Sequence, residues 1–377
     1  MSLRRTRALA RKEFLHVLRD PLSLAMAIAV PLLLLLLFSY ALSLDVDEIP
    51  TVIYDADSSP QSRDLVSKLE GSRFFNVIEQ VEDDAAFEQQ LDRNRALLAV
   101  WIPQDYAKNL ARQRPAPVQV VLDGSDSNTA SIALGYVLAM MFDHSRALRN
   151  QSLDRRGAGE IRPAVEPVIR VWYNPELESK NYIVPGLIAV ILMIVGAMLT
   201  SLTVAREYEL GNLELLLSTP VRPAEIVLGK MAAYFALGFA DAVAAIVMGV
   251  WAFGVPLRGS LLELGFIISL FLFGALCWGL LISAATRSQL LAYQIGIITS
   301  FLPAFLLSGF VYAIENMPPM VQVITHIVPA RYFVSLLKLI FLKGVSVTML
   351  WTDVVFLAVY AGVVFALATR QLHRKIA

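Results

Sequence analysis

The chain has 377 residues, 32 basic and 32 acidic, so it carries no net charge; 56% of its side chains are hydrophobic and 17% are charged. Soluble domains carry about 25% charged residues, and here the apolar residues gather in runs that reach the roughly 20 residues needed to cross a bilayer. That pattern excludes a soluble globular class and reads as an α-helical polytopic membrane protein.

In chain order, residues 1–21 form a tail rich in Arg and Lys (Arg4, Arg5, Arg7, Arg11, Lys12, Arg19). The first span follows at 22–44 without a charge. Its apolar run is longer than the 7–15 residues of a signal-peptide core and "YALSL" is a poor cleavage site, so an uncleaved anchor is expected. Further spans are expected at 182–205, 231–253, 264–285, 290–314 and 349–369, six in all. Pro31, Pro185 and Pro303 fall inside spans, where neighbouring helices can satisfy the carbonyls they free. The segment 315–344 is apolar but broken by Pro318, Pro319 and Pro329, which suits re-entrant or surface helices. With six alternating spans, about thirteen Lys and Arg fall on one side against about four on the other, so that side is cytoplasmic and holds both termini.

Residues 45–181 differ in kind. From Asp45 to Lys180 there are about 22 acidic and about 15 basic residues, so the zero net charge hides an acidic insert in a basic membrane portion. Short β-rich runs ("PTVIYDA", "FFNVIEQV", "ALLAVWIP", "PVQVVLDG") alternate with the helical stretches "SPQSRDLVSKLEG" and "DDAAFEQQLDR". Ser125 to Leu153 then has helical periodicity. The expectation is an extracytoplasmic α/β domain inserted between spans one and two, ending in one long helix. "DGSDSN" at 123–128 lacks EF-hand spacing and a closing Glu, so it reads as a helix cap.

Catalytic signatures are missing from the pattern. Gly229-Lys230 lacks the first Gly and the hydroxyl of a phosphate-binding loop, with Ala224 and Met231 in those places. His16, His144, His326 and His373 are scattered with no zinc-binding spacing, so no metal site is expected. The lone Cys277 says little about compartment, and no basic patch with interleaved aromatics points to nucleic acid. Asp241 is a carboxylate near mid-span; such a charge costs about 2.5–3.5 kcal/mol on insertion scales, so it must face the bundle or a wet cavity.

Between spans two and three lies "AREYELGNLELLLSTPVRPAEIVLGK". Leu213, Leu216 and Leu217 have helical spacing, Gly211 and Pro220 are natural corners, and Glu207, Glu209 and Glu214 would face the cytosol. Together with "RKEFLHVLRDP", "NYIVPG", "FGVPLRGS", "LPAFLLSGFVY" and "MPPMVQVITHIVPARYF", this segment resembles the permease subunits of bacterial ABC-2 exporters, in particular the multidrug-efflux-like group with a large domain between spans one and two. The resemblance covers essentially the whole chain. One departure is Asn212, where such permeases usually carry Thr.

The resemblance implies a transport subunit that is not itself an enzyme. Such a subunit binds no cofactor, pairs with a second permease (itself or a paralogue), and is driven by a cytoplasmic ATPase dimer that holds ATP and Mg. A periplasmic adaptor and membrane lipid are further expected partners, and the bacterial inner membrane is the expected location. The resemblance also implies an amino-terminal elbow helix at about Leu3 to Leu18, with Arg11, Lys12, Glu13, Arg19 and Asp20 near its end. Its Leu3, Ala8, Leu9, Phe14, Leu15 and Leu18 interspersed with basic residues agree with an interfacial helix. ATPase coupling falls to Arg206, Glu207, Glu209, Gly211, Asn212, Glu214, Arg222 and Lys230, and the pathway candidates are Asp241, Ser308 and Gly309. A proton-coupled secondary transporter and a polytopic membrane enzyme are the alternatives.

Overall fold

The computed structural model describes residues 3–19, 21–41, 47–154, 172–175, 178–211, 222–286 and 288–376. It resolves into two compact units, Met1–Ser43 with Arg170–Ala377, and Leu44–Ile169.

The first unit is helical. It opens with α1 (Leu3–Leu18) and α2 (Pro21–Ala41), the latter 21 residues without a charge. After the second unit the chain re-enters this one at α7 (Lys180–Ser201), which continues past a break at Leu202 into α8 (Thr203–Glu209). Then come α9 (Pro223–Trp251), α10 (Leu261–Ala285) and α11 (Gln289–Leu307). Two short helices, α12 (Pro319–Thr325) and α13 (Pro329–Lys338), precede the last, α14 (Trp351–Ile376). Among the described residues, five helices are long and apolar enough to cross a membrane: Lys180–Glu209, Pro223–Trp251, Leu261–Ala285, Gln289–Leu307 and Val347–His373. The pair Pro319–Thr325 and Pro329–Lys343 is bent by 83°. A Pro at the first position of each helix explains the break, since Pro starts helices well but cannot continue the one before it.

The core of this unit is built on α7, 83% buried over its most apolar window, against 17% for the last helix. Its small residues allow close packing. A Cβ at Gly279 would lie 2.2 Å from the Ala197 carbonyl oxygen, and one at Gly196 would lie 2.8 Å from the Ala275 Cβ, so α7 and α10 touch backbone to backbone. Thr200 Oγ1 donates to the Leu276 carbonyl at 2.8 Å across that contact. Where α7 breaks, Ser283 Oγ of α10 accepts from the Val204 and Ala205 amides at 2.9 and 3.0 Å, replacing bonds the break would otherwise leave unmade.

Some boundaries differ from the sequence reading. The helical run that begins in the expected span 182–205 continues to Glu209. The helix expected over 290–314 ends at Leu307, because Gly309 takes a φ of +77° that no right-handed helix can hold.

The second unit holds a four-stranded sheet in the order β2-β1-β3-β4, with β1 (Ile49–Asp55), β2 (Phe75–Val81), β3 (Leu98–Ile102) and β4 (Gln119–Leu122). β1 pairs in parallel with β2 and β3, and β4 runs antiparallel to β3. The parallel pairs need helical crossovers, supplied by α3 (Pro60–Glu70) and α4 (Asp84–Asp92); α5 (Tyr106–Ala111) precedes β4 and α6 (Ser127–Asp154) follows it. Ile53, Leu65, Leu98 and Val137 are fully or almost fully buried between sheet and helices.

Candidate functional site

The residues expected to couple the spans to an ATPase converge on α1. Thr6, Leu9, Ala10 and Glu13 turn toward α9, and Gly229 is what lets the two helices close: a Cβ there would stand 2.6 Å from the Leu9 Cβ and 3.3 Å from the Thr6 carbonyl oxygen. At the next residue, Lys230 Nζ lies 3.1 Å from Glu13 Oε1 and 2.8 Å from Glu207 Oε1, with only 3% of its side chain exposed. Lys12 Nζ completes the group at 3.3 Å from Glu13 and 3.4 Å from Glu207. Two cations and two carboxylates from three helices thus form a neutral, largely buried cluster. Burial alone would push the Glu13 carboxyl up, but Lys230 and Lys12 outweigh it and hold it below the ordinary value. Lys12 is pulled down by burial, yet Glu13 and Glu207 carry it above the ordinary lysine value.

Neighbouring contacts fasten the same region. Glu225 accepts from the Arg222 amide at 3.1 Å, capping α9 behind Pro223, and Arg5 Nη1 stands 3.8 Å from it. Glu209 accepts from the Gln289 amide at 2.8 Å and from the Gln289 side chain, tying α8 to the first turn of α11.

This geometry revises one expectation. Glu207 does not face outward to meet a partner; its side chain is 13% exposed and held by Lys230 and Lys12. Lys230, expected among the ATPase-coupling residues, is also internal. The physical reason is the length of α8: it stays helical for about one more turn after Ala205, to Glu209, which keeps Glu207 beside Lys230 of α9. Arg206, Arg222 and Arg11 are exposed, as is Arg19, and Gly211 takes a φ of +69° at the expected corner. Asn212, Glu214 and Asp20 lie outside the described residues, as do Leu213, Leu216, Leu217 and Pro220.

The pathway candidates fall in two places. Asp241 is 1% exposed, and both its carboxylate oxygens are buried without a hydrogen-bond partner. Gly309 sits far from it in sequence, in a knot where its carbonyl accepts from Tyr182 Oη at 2.6 Å and Lys338 Nζ at 3.3 Å. The Lys338 ammonium also stands 3.5 Å above the Tyr182 ring centroid. Ser308 is buried beside this knot with its hydroxyl unpartnered. Sequence reading missed Tyr182 and Lys338; the "NYIVPG" and "IVPARYF" stretches contain or adjoin them, but nothing in either run signals that they meet.

Comparison with known proteins agrees in family. A model of the "ABC-2 family transporter protein" family matches residues 22–370. The "Probable multidrug ABC transporter permease YbhS" of Escherichia coli strain K12 is 37% identical over 380 aligned residues, covering 100% of this chain and 98% of its own. YbhR of the same strain, with the same description, is 33% identical over 369 residues and 98% of each chain. The "ABC transporter G family member 20" of Dictyostelium discoideum is 25% identical over 64% of this chain and 33% of its own length. Full-length similarity at this level, on a helical framework with five long apolar helices among the described residues, makes the chain a member of the ABC-2 transporter family: the permease subunit of an ABC exporter, a transport component and not an enzyme.

Proposed function

We propose that this permease moves drug-like or amphipathic molecules out of the cytoplasm or inner membrane, as the names of its relatives suggest for those proteins. In this reading α2 and the five long helices are six spans, both termini are cytoplasmic, and the α12–α13 pair is re-entrant on the far side. Two permeases, identical or paralogous, enclose the route, and a cytoplasmic ATPase dimer holding ATP and Mg drives it. The unit around the sheet lies outside the cytoplasm and docks a periplasmic adaptor.

The observation that carries the coupling part is the Lys12–Glu13–Glu207–Lys230 cluster. It ties α1, α8 and α9 at the two ends of the segment 210–222, so a push on that segment reaches spans two and three with little loss in loose joints. The test is transport by inverted vesicles that contain this chain and its ATPase. ATP-dependent accumulation of an amphipathic dye, insensitive to collapse of the proton gradient, is expected. Accumulation that follows the proton gradient and ignores ATP overturns it in favour of a secondary transporter.

A further inference from the structure

Helix α1 divides its cations between two jobs. Arg5 and Lys12 reach back to Glu225, Glu13 and Glu207 within the protein. Among the described residues Arg4, Arg7 and Arg11 make no such pair; they are exposed, on the side away from the Thr6–Leu9–Glu13 face that seals against α9. Their spacing continues through Phe14 and Leu18, so residues 4, 7, 11, 14 and 18 make one stripe at alternating steps of three and four. The stripe is basic for its first half and apolar for its second, where Phe14, Leu15 and Leu18 are 44%, 42% and 50% exposed. An ordinary interfacial helix separates charge and apolar residues across its width. Along the stripe 4-7-11-14-18 they are separated along the length, although Leu3 at one end and Arg19 at the other are also exposed.

The position of α2 gives this arrangement a meaning. Its uncharged run starts at Pro21, directly after the apolar end of α1. The apolar end therefore sits where the chain enters lipid, and the arginine end sits further out, at headgroup level. Three guanidinium groups spaced a turn apart match phosphodiester oxygens, which Arg binds in bidentate fashion.

We propose that Arg4, Arg7 and Arg11 form a binding stripe for anionic phospholipid headgroups, with Phe14, Leu15 and Leu18 seated in the adjoining acyl region. This rests on the reading that α2 spans the membrane. An acidic face of the ATPase is the competing occupant, but it leaves Phe14, Leu15 and Leu18 without a reason to be exposed in line with the arginines.

The experiment uses the full chain with its ATPase, equilibrated with vesicles of phosphatidylcholine and phosphatidylglycerol at 3:1 and then re-isolated for analysis of bound lipid. Wild type should retain phosphatidylglycerol in excess of its share. Basic residues near an anionic surface contribute about 1 kcal/mol each, or about fivefold, so Arg7→Gln should lower the enrichment by about fivefold and Arg4→Gln/Arg7→Gln/Arg11→Gln should abolish it. Arg112→Gln/Arg114→Gln, in the sheet-containing unit, should change nothing. Should the triple variant fail to insert, the Arg7→Gln single variant is decisive. Enrichment equal to wild type in the variants overturns the proposal, as does loss of the ATPase with lipid retained, which assigns the stripe to the ATPase. Topology is read separately, from whether an impermeant maleimide reaches Arg19→Cys from outside; labelling there sinks the six-span reading and not the lipid preference.

Discussion

Glu207 and Lys230 are 23 residues apart in the chain and 2.8 Å apart in space. The intervening segment therefore leaves from and returns to a single point, and that point also holds α1 through Glu13. Removing one member of a buried ion pair costs about 3–5 kcal/mol, because the remaining charge stays buried without its partner. Lys230→Met leaves two carboxylates facing each other with only Lys12 nearby. It should lower the thermal stability of the detergent-solubilised chain by about that amount, whereas Lys230→Arg should be milder. Glu207→Arg, which adds a third cation to the group, should destabilise the fold as well as uncouple transport. A thermal-shift assay on all three variants checks the order.

Close approach of α1 to α9 makes a second, purely steric prediction. Gly229→Val places two methyl groups where the Leu9 Cβ already stands. Overpacking of this kind costs about 1–3 kcal/mol, and the least costly relief is to lift α1 away. Trypsin should then cut faster at Arg4, Arg7 and Arg11, while Gly229→Val/Leu9→Ala should recover part of the protection. Equal cleavage in wild type and Gly229→Val would mean that α1 is not held there.

Asp241 separates stability from function. A buried polar group without a partner costs about 1–3 kcal/mol, so Asp241→Leu should leave the thermal midpoint unchanged or raised. Asp241→Asn should alter transport modestly without abolishing it, as expected of a pathway or packing group. Complete loss of transport, with folding and ATPase coupling normal, favours a proton-carrying role. The readout is dye transport beside a melting curve for the same preparation.

The sheet-containing unit carries a pH dependence of its own. His144 is 4% exposed, its Nδ1 is 3.0 Å from Lys68 Nζ, and its Nε2 is 3.1 Å from Tyr106 Oη. An ammonium can only donate, so Nδ1 accepts and Nε2–H donates to the tyrosine; the ring is neutral. Burial, then Lys68, pulls the His144 pKa below its ordinary 6.5 against the opposing pull of Asp64 and Asp143. Burial with Asp64 and Asp57 nearby pushes Tyr106 up to about 12. A folded-state value below the unfolded one means that the neutral form favours the fold. The contribution is complete above pH 6.5 and declines as pH falls below it. Protection of α3, α5 and α6 against hydrogen exchange in the intact protein, taken relative to the intrinsic amide rate at each pH, should fall between pH 7 and pH 5, and His144→Gln should flatten that response.

Legibility in the sequence followed the range of the interaction. The runs "PTVIYDA", "FFNVIEQV", "ALLAVWIP" and "PVQVVLDG" are β1 to β4, because alternation and turn residues act within a few positions. α1 occupies Leu3–Leu18, as the family resemblance implies and its mixed apolar and basic spacing agrees, and Asp126 caps the start of α6 through the Thr129 amide and hydroxyl. α5 escaped notice: six residues are too few to show a period. Glu13 and Lys230 are 217 residues apart, and no local pattern distinguishes a Lys that will be buried from one that will be solvated. The same holds for Tyr182 under Lys338. Charge density in "AREYELGNLELLLSTPVRPAEIVLGK" was read as an outward-facing surface when part of it is paired inward.

Interruption of the helical unit by the sheet-containing unit has a consequence in time. α2 packs against α7 in the finished protein, but the whole of Leu44–Ile169 is synthesised between them. At about 5–20 residues per second, α2 waits on the order of ten seconds for its main neighbour. During that wait it must be tolerable to lipid on every side, which its uncharged sequence allows. α7 meets the opposite condition: it arrives late, into a place where most of its surface will be covered by helices not yet made. Assembly of the bundle is therefore paced by synthesis of the unit in the middle, and lengthening that unit lengthens the wait of α2 without touching the helical unit.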